Sequence, residues 1–311
     1  LSARIGSKPM ILGGGLGLVL MLPLLVLAGN PLLLAAALLV FGASLGTIDV
    51  AMNVHAVEVE RASDRPLMSG FHAMFSIGGF AGAGGMTLLL SWGLSPLASA
   101  LCGSALTLLA LVLAWPRLIP ARGGEPVPLV LPRGIVLLLS ALAGVTFLVE
   151  GAILDWSALL VVEKGMVDAA QGGLGYMLFS VAMTVGRLTG DRIVAAFGNL
   201  RVLVSGGLLT IAGIVLLLAA SSAMAGFGGF VLIGLGASNI VPVLFSLAGR
   251  QNVMPPALAI AAATTTGYAG ILLGPALIGF AAQASDLSTA FWLLALLVAL
   301  VPLCARTATK G

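Results

Sequence analysis

Apolar positions dominate the chain and fall into ten long runs separated by short polar breaks. The runs are Met10–Ala28, Pro31–Val54, Leu67–Trp92, Pro96–Trp115, Gly134–Val162, Gly172–Gly186, Val202–Ala220, Met224–Ala248, Ala257–Ala281 and Ser288–Cys304. Most are near the 20 residues that carry a helix across about 30 Å of hydrocarbon. Backbone amides in lipid must be satisfied within the segment, so the runs predict helices rather than open strands. The expected fold class is an all-α polytopic membrane protein.

Composition agrees with the pattern. Sixty per cent of the 311 residues are hydrophobic and 8% are charged, where a soluble domain carries about 25% charged residues; the mean hydropathy is +1.18. The net charge of +3 could point to nucleic acid, but the basic residues do not form a phosphate-binding patch, and no nucleic-acid partner is expected. They alternate instead. Arg4 and Lys8 precede the first run; Arg61 and Arg65 follow the second; Arg117, Arg122 and Arg133 follow the fourth; Arg187, Arg192 and Arg201 follow the sixth; Arg250 follows the eighth; Arg306 and Lys310 follow the tenth. Lys164 alone lies in an odd-numbered break. The positive-inside rule assigns the crowded side to the cytoplasm, so both ends of this chain are expected there, in a bacterial inner membrane. Cys102 and Cys304 lie in or at the end of apolar runs without CxxC spacing, which reads as buried apolar residues rather than a disulfide or metal site.

A shift of 192 residues lays the sequence on itself. Gly6-Ser7 meets Gly198-Asn199, Gly14-Gly15 meets Gly206-Gly207, Gly42 meets Gly234, and Gly78 and Gly82 meet Gly270 and Gly274. Each half then carries the same arrangement in the same orientation, the parallel-repeat layout of some transporters. The expected organisation is a bundle of four spans over residues 1–115, a proline- and arginine-rich cytoplasmic linker over 116–133, and a bundle of six spans over 134–311. The two extra spans of the second half have no counterpart in the first, so ten of twelve helices are expected here, with two more ahead of Leu1.

One stretch has the form of a known loop. Gly186-Arg187-Leu188-Thr189-Gly190-Asp191-Arg192, followed by Phe197-Gly198-Asn199-Leu200-Arg201, resembles the G-x-L-x-D-R-x-G-R-R/K marker of the major facilitator superfamily. Arg4-Ile5-Gly6-Ser7-Lys8 resembles the end of its first copy, with Ala3 where the family usually has Asp. Gly270-x-x-x-Gly274-Pro275 is similar to the family's glycine–proline packing motif. The segments from Asp49 to His72 and from Glu150 to Trp156 resemble a bacterial branch whose substrates are poorly defined. The resemblance implies the two-bundle fold, secondary transport by alternating access, helix packing at Gly270, Gly274 and Pro275, and a gating loop of Arg187, Asp191, Arg192, Gly198 and Arg201; Gly78 and Gly82, among the glycines of the third run, read independently as sites of close helix approach. The plainer alternative for that loop is that its charges only set topology.

Polar residues inside the apolar runs are the candidates for chemistry, because such groups face a bundle interior or a cavity. Glu150 lies near the middle of the fifth run. A carboxyl that exchanges its proton as a cavity opens to each side in turn is what proton coupling requires; the alternative is an interhelical hydrogen bond from a permanently protonated group. Asp49 and Asn53 share a helical face, and His72 begins the third run at similar depth. These three form either a titratable cluster or a structural network. Asn239, beside Pro242, is the neutral polar group best placed in a pathway. No cofactor and no metal site are expected: no phosphate-binding G-x-x-x-x-G-K-[ST] and no H-E-x-x-H occurs. The expected protein is not an enzyme but a monomeric, proton-coupled transporter of a small solute, with a sugar or other neutral or amphipathic molecule favoured by the few charges. The rival readings are a non-transporting sensor or scaffold and a lipid-modifying membrane enzyme.

Overall fold

A computed structural model describes residues 6–63, 65–120, 131–168 and 171–310. The expected motif residues Ala3 to Ile5 and the middle of the linker, with Arg122, lie outside the described residues. Every regular element among the described residues is helical. The first five long helices are α1 (Ser7–Leu27), α2 (Pro31–Ser63), α3 (Met68–Ser91), α4 (Pro96–Ala114) and α5 (Ile135–Glu163). Leu174–Ala219 follows as 46 hydrogen-bonded residues, which at 1.5 Å each would stretch about 69 Å, twice the hydrocarbon core. Gly198, at φ 76° and ψ 161°, divides it. That left-handed φ suits glycine and stops the helix, leaving α6 (174–197) and α7 (199–219). Then come α8 (Ala223–Ala237), α9 (Ile240–Arg250), α10 (Pro256–Ala284), α11 (Leu287–Val298) and α12 (Leu300–Ala308). Nine stretches among the described residues are long and apolar enough to cross a membrane, with Leu174–Ala219 counted once. The break at Gly198 makes them ten, matching the ten apolar runs.

Helix ends differ from the apolar pattern where polar residues continue a helix past its apolar run. The second apolar run ends at Val54, but α2 continues to Ser63. The sixth ends at Gly186, yet α6 runs on to the break at Gly198. Arg187, Asp191 and Arg192 therefore stand on a helix rather than in a loop, and Arg201 belongs to α7. Two spans are broken where proline removes a backbone donor. Pro242 interrupts the eighth at Ser238–Asn239, and Pro302 interrupts the tenth at Ala299.

The chain divides into two compact units. The first comprises Leu1–Ala62 and Met74–Leu129; the second comprises Ser63–Ala73 and Val130–Gly311. In the first, α1 packs on α4, with Gly15 seated against Leu111 and Gly14 against the Ser44 carbonyl and Ile48 of α2. In the second, Gly206 of α7 lies against the Gly236 carbonyl and Ile240, and Gly207 against Pro302. Ser44 and Gly236, and Ile48 and Ile240, are themselves 192 positions apart, so the repeat recurs as equivalent contacts inside each unit. Small residues serve these contacts because helix association in lipid depends on close backbone approach rather than on hydrophobic driving force.

The core of the second unit gathers Ile153, Leu160, Phe179, Ile214, Leu217, Phe230, Phe291 and Leu294, all nearly inaccessible. Its α5 packs along α10 through Gly144, Gly151, Gly270 and Gly274. Pro275 lies within α10, and its carbonyl accepts the Trp156 indole N–H at 3.1 Å. Gly78 and Gly82 do not repeat the packing of Gly270 and Gly274. A Cβ at either would meet nothing within 4 Å. On the outside of the units, large apolar side chains such as Leu32, Leu39, Leu272 and Leu303 stand exposed, as a lipid-facing surface requires.

Candidate functional site

The second unit buries a group of polar side chains among otherwise apolar helices. Glu150 enters from α5 and Arg187 from α6, with Arg187 Nη2 3.5 Å from Glu150 Oε1. Arg187 is 6% exposed, so this is an ion pair formed largely out of water, where an attraction is strong but each charge depends on its partner. Glu150 Oε1 makes no hydrogen bond among the described residues. The pair is thus held by charge and not by a fixed hydrogen bond. From the sequence alone Glu150 has no fixed cation and Arg187 belongs with the loop charges; the fold puts the two together.

Arg187 has a second contact. Its Nε donates to the Ser238 carbonyl at 3.4 Å. In an uninterrupted helix that carbonyl would accept the amide of residue 242, but residue 242 is Pro, which has none to give. The guanidinium therefore fills a vacancy that the proline creates. Asn239 closes the break from the other side: its Nδ2 donates to the Gly186 carbonyl and to Ser238 Oγ, each at 3.0 Å. Its Oδ1 has no hydrogen-bond partner among the described residues and lies directly over Gly190, where any Cβ would collide with it. Gly186 and Gly190, one turn apart on α6, are the flat surface on which Ser238, Asn239 and Ser69 sit.

Asp191 lies one turn beyond Arg187. Its Oδ1 accepts the Ser69 amide at 2.9 Å and its Oδ2 the Gly70 amide at 2.8 Å. Those amides open α3, and the first amides of a helix have no intrahelical acceptor and carry the positive end of its dipole. Asp191 is thus a cap supplied from a distant helix. His72, in the next turn, packs edge-on against Phe245 of α9 with ring centroids 5.8 Å apart and lies in the field of Arg187.

The remaining candidates are spread more widely. Asp49 and Asn53 lie one turn apart on α2 in the first unit, where Asn53 Nδ2 donates to the Asp49 carbonyl at 3.0 Å and to its carboxylate at 3.4 Å. Arg192 and Arg201 are exposed on either side of Gly198. The first unit also holds a trio that the apolar pattern does not single out. Ser7 Oγ donates to Glu58 Oε2 at 3.0 Å and stands 2.9 Å from His55 Nδ1, which is 3.4 Å from the same carboxylate. The spacing of His55 and Glu58, three apart on one helix, is the signal that could have found it. No group of three or more metal-ligating side chains occurs among the described residues.

Comparison with known proteins places this arrangement. A family profile described as the Major Facilitator Superfamily matches residues 1–251. An uncharacterized MFS-type transporter of Yersinia pestis is 50% identical over 313 residues, spanning 100% of this chain and 81% of that protein. Membrane protein MosC of Rhizobium meliloti is 31% identical over 307 residues, spanning 96% of this chain and 74% of its own. Among solved structures, the transporter FucP in an outward conformation superposes with a TM-score of 0.85 at 19% identity, over 99% of this chain and 84% of that one. The proton:xylose symporter XylE does so with a TM-score of 0.78 at 14% identity, over 98% and 81%. At such identities the structural likeness is one of fold.

Proposed function

The chain belongs to the major facilitator superfamily of membrane transporters, and from that premise we propose that it moves a small solute by alternating access, driven by protons that bind and leave Glu150. It is a transporter and not an enzyme. The observation that carries the proton-coupled reading is the Glu150–Arg187 pair: a carboxylate midway along α5, 3.5 Å from one guanidinium, whose buried Oε1 no donor holds. A carboxylate pinned by several hydrogen bonds would resist protonation; this one faces a single charge and can change state when water reaches it.

Asp191 is proposed as the latch of the cycle. It grips the first turn of α3. Releasing two amides at a helix start costs about 1–2 kcal/mol, small enough to be reversed in each turnover. Asn239, Asp49 and Asn53 are proposed as polar contacts for the solute or for the closed state. The orientation proposed puts Arg61 and Arg250 in the cytoplasm of a bacterial cell, with the protein in the inner membrane. Sugars head the range of solutes to try, since FucP is named as a fucose:proton symporter and XylE as a proton:xylose symporter, and the polar groups here are mostly neutral.

The test works before the solute has been identified. Lightly buffered, de-energised cells or right-side-out vesicles holding the full-length protein are given a panel of sugars, polyols and organic acids, and the external pH is recorded. A proton-coupled importer alkalinises the medium when its solute is added and loses that response as Glu150→Gln. A solute that is transported with an undiminished proton flux in Glu150→Gln would overturn the role assigned to Glu150.

A further inference from the structure

We propose that Ser7, His55 and Glu58 form a proton sensor at the cytoplasmic end of the first unit, fastening the start of α1 to α2 when His55 takes up a proton. Its cytoplasmic placement and its use as a brake rest on the orientation and proton-driven import proposed above; the tie itself does not. Ser7 is the first residue of α1 and follows Gly6, which has φ 84° and no side-chain cap bond. The Ser7 hydroxyl donates to Glu58 Oε2 at 3.0 Å and lies 2.9 Å from His55 Nδ1, itself 3.4 Å from the same carboxylate oxygen. Ser7 and His55 are 1% and 8% exposed, while the Glu58 side chain is 34% exposed and opens the trio to protons from water. Gly198 repeats the left-handed start of Gly6, at φ 76°. The trio is not repeated: 192 positions on from its members stand Asn199, Leu247 and Arg250. It is an addition of the first unit and not a by-product of the repeat.

The effect of a proton follows from counting donors. A serine hydroxyl has one proton to give and can accept in return. With that proton on Glu58, the His55 nitrogen facing Ser7 Oγ has to be a donor. Imidazolium meets this condition without choice, because both its nitrogens carry hydrogen, and it sets a positive charge 3.4 Å from the carboxylate. Neutral imidazole has one N–H for two nitrogens. When that hydrogen sits on Nε2, Nδ1 becomes an acceptor and competes with Glu58 for the single Ser7 proton; in either tautomer the charge pair is gone. Hydrogen bonds between ionised partners are roughly twice as strong as neutral ones. The tie therefore tightens as the pH falls through the histidine range, from about 8 to 5. It is not a nucleophile triad, in which serine faces Nε2 and the acid faces Nδ1; here both face Nδ1.

The other charged groups described at this end of the first unit are engaged elsewhere or face away. Lys8, beside Ser7 on α1, donates its ammonium to the Leu118 carbonyl at 3.4 Å and lies 5.5 Å from the centre of the Trp115 ring. Arg117, just past α4, donates to the Leu113 carbonyl. On α2, Glu60 and Arg61 follow His55 by five and six positions, about 140° and 120° around the helix axis from it, whereas Glu58 is about 60° away. Acid in the cytoplasm thus binds the start of α1 to the end of α2. Stiffness there slows the rearrangement on which turnover depends, so a proton-driven importer limits its own proton load.

Hydrogen–deuterium exchange of residues 10–14, whose amides bond to the first turn of α1, reads the tie by mass spectrometry on the full-length protein in lipid nanodiscs. After correction for the intrinsic pH dependence of exchange, the wild type should exchange roughly fivefold slower on the acid side of a single step, the effect of one hydrogen bond gaining charge. His55→Gln should lose the step, and Ser7→Ala should exchange fast at every pH. Glu58→Gln should reduce the step to less than about twofold. Glu150→Gln should keep the wild-type step, since the sensor is separate from it. A full step in His55→Gln overturns the sensor; if that variant is not retained in nanodiscs, a full step in Glu58→Gln does so. The brake is read in sealed vesicles with whichever sugar or polyol of the panel gives a proton response. At a constant pH difference across the membrane, lowering the cytoplasmic-side pH from about 7.5 to 6 should slow the flux several-fold in the wild type and not in His55→Gln. A step in exchange without that slowing overturns the brake. Slowing that follows the pH of the outer side strikes at the orientation, and an intact step with no proton response from the panel strikes at proton-driven import, so the failures are told apart.

Discussion

The carboxylate of Asp191 holds the amide of Gly70 at 2.8 Å across 121 positions of sequence, with the neighbouring amide of Ser69 on its other oxygen. A side chain that caps the start of a distant helix carries both charge and hydrogen-bond geometry. Asp191→Asn keeps the shape, loses the charge and can offer one acceptor oxygen instead of two. The expected loss is about 1–2 kcal/mol for this contact. In the cycle proposed above, that loss should change the rate of solute-driven proton flux several-fold, while the amount of protein in the membrane and its melting temperature change little. Lower abundance with a normal rate per molecule would show Asp191 to be a folding residue and not a latch.

For Glu150 the informative contrast is between two modes of transport. Once the panel has identified a solute, Glu150→Gln should abolish uphill uptake driven by a pH gradient and retain counterflow exchange of labelled for unlabelled solute, which needs no net proton movement. Equal loss of both modes would assign Glu150 to solute binding or folding.

The fold is legible in the sequence because its main signals are local or periodic. Ten apolar runs, alternating basic residues and a glycine register of 192 can all be read without knowing which helix touches which. The structure returns that register as matched contacts, Gly14 on Ser44 and Ile48 in one unit and Gly206 on Gly236 and Ile240 in the other. The site is legible only in part. Glu150 and Arg187 both stand out in the sequence, but for separate roles, since their 3.5 Å approach depends on how α5 and α6 pack. The length of α6 is hidden because Arg187, Asp191 and Arg192 look like a loop by polarity, whereas Arg187 and Asp191 find partners on other helices and so continue the helix. Pro242 stands visibly beside Asn239, yet its effect lies four residues upstream, on a carbonyl that no pattern of side chains reveals.

Two glycines at matching positions make a paired stability test. A Cβ on Gly270 would collide with the Gly144 carbonyl and lie 3.2 Å from the Leu148 amide, both backbone atoms that cannot swing aside, whereas a Cβ on Gly78 meets nothing within 4 Å. Gly270→Ala should therefore destabilise the second unit by about 1–3 kcal/mol, the usual cost of overpacking. Gly78→Ala should be neutral or stabilising by about 0.5–1 kcal/mol, since alanine loses less backbone freedom in a helix. Thermal unfolding of purified protein in one detergent reads both; a loss at Gly78→Ala as large as that at Gly270→Ala would mean that its face is covered in the working protein.

Asp286 gives a pH signature outside the membrane spans. Its carboxylate accepts the Thr289 amide and the Thr289 hydroxyl, each at 2.8 Å, at the start of α11. The amide bond first, then the hydroxyl bond and that of the Ser288 amide, hold its pKa below the ordinary 3.8, against a smaller opposing effect of burial. A carboxyl with a depressed folded-state pKa adds stability that is fully present above its ordinary value and is lost as the pH falls through the folded one. The melting temperatures of wild type and Asp286→Ala should thus differ by a constant amount above pH 3.8 and converge below it. A gap that persists in acid would show that the cap acts without its charge.

The orientation can be checked through the residue that breaks the charge pattern. Lys164 is the one basic side chain in an odd-numbered break, and its ammonium donates to the Leu218 carbonyl at 2.8 Å, near the C-terminal end of α7. The last carbonyls of a helix have no intrahelical donor and bear the negative end of its dipole, so Lys164 is tied to structure and does not report on topology. The exposed Arg61, Arg250 and Asp168 are better markers. With Cys102 and Cys304 replaced by Ala, a membrane-impermeant maleimide added to intact cells should label Asp168→Cys, and should label Arg61→Cys and Arg250→Cys only after the cells are opened. Labelling of Arg61→Cys and Arg250→Cys from opposite faces would break the count of spans between them; labelling of both from outside, with Asp168→Cys protected, would keep the count and invert the protein, and the acidic compartment that drives Glu150 would have to be reassigned.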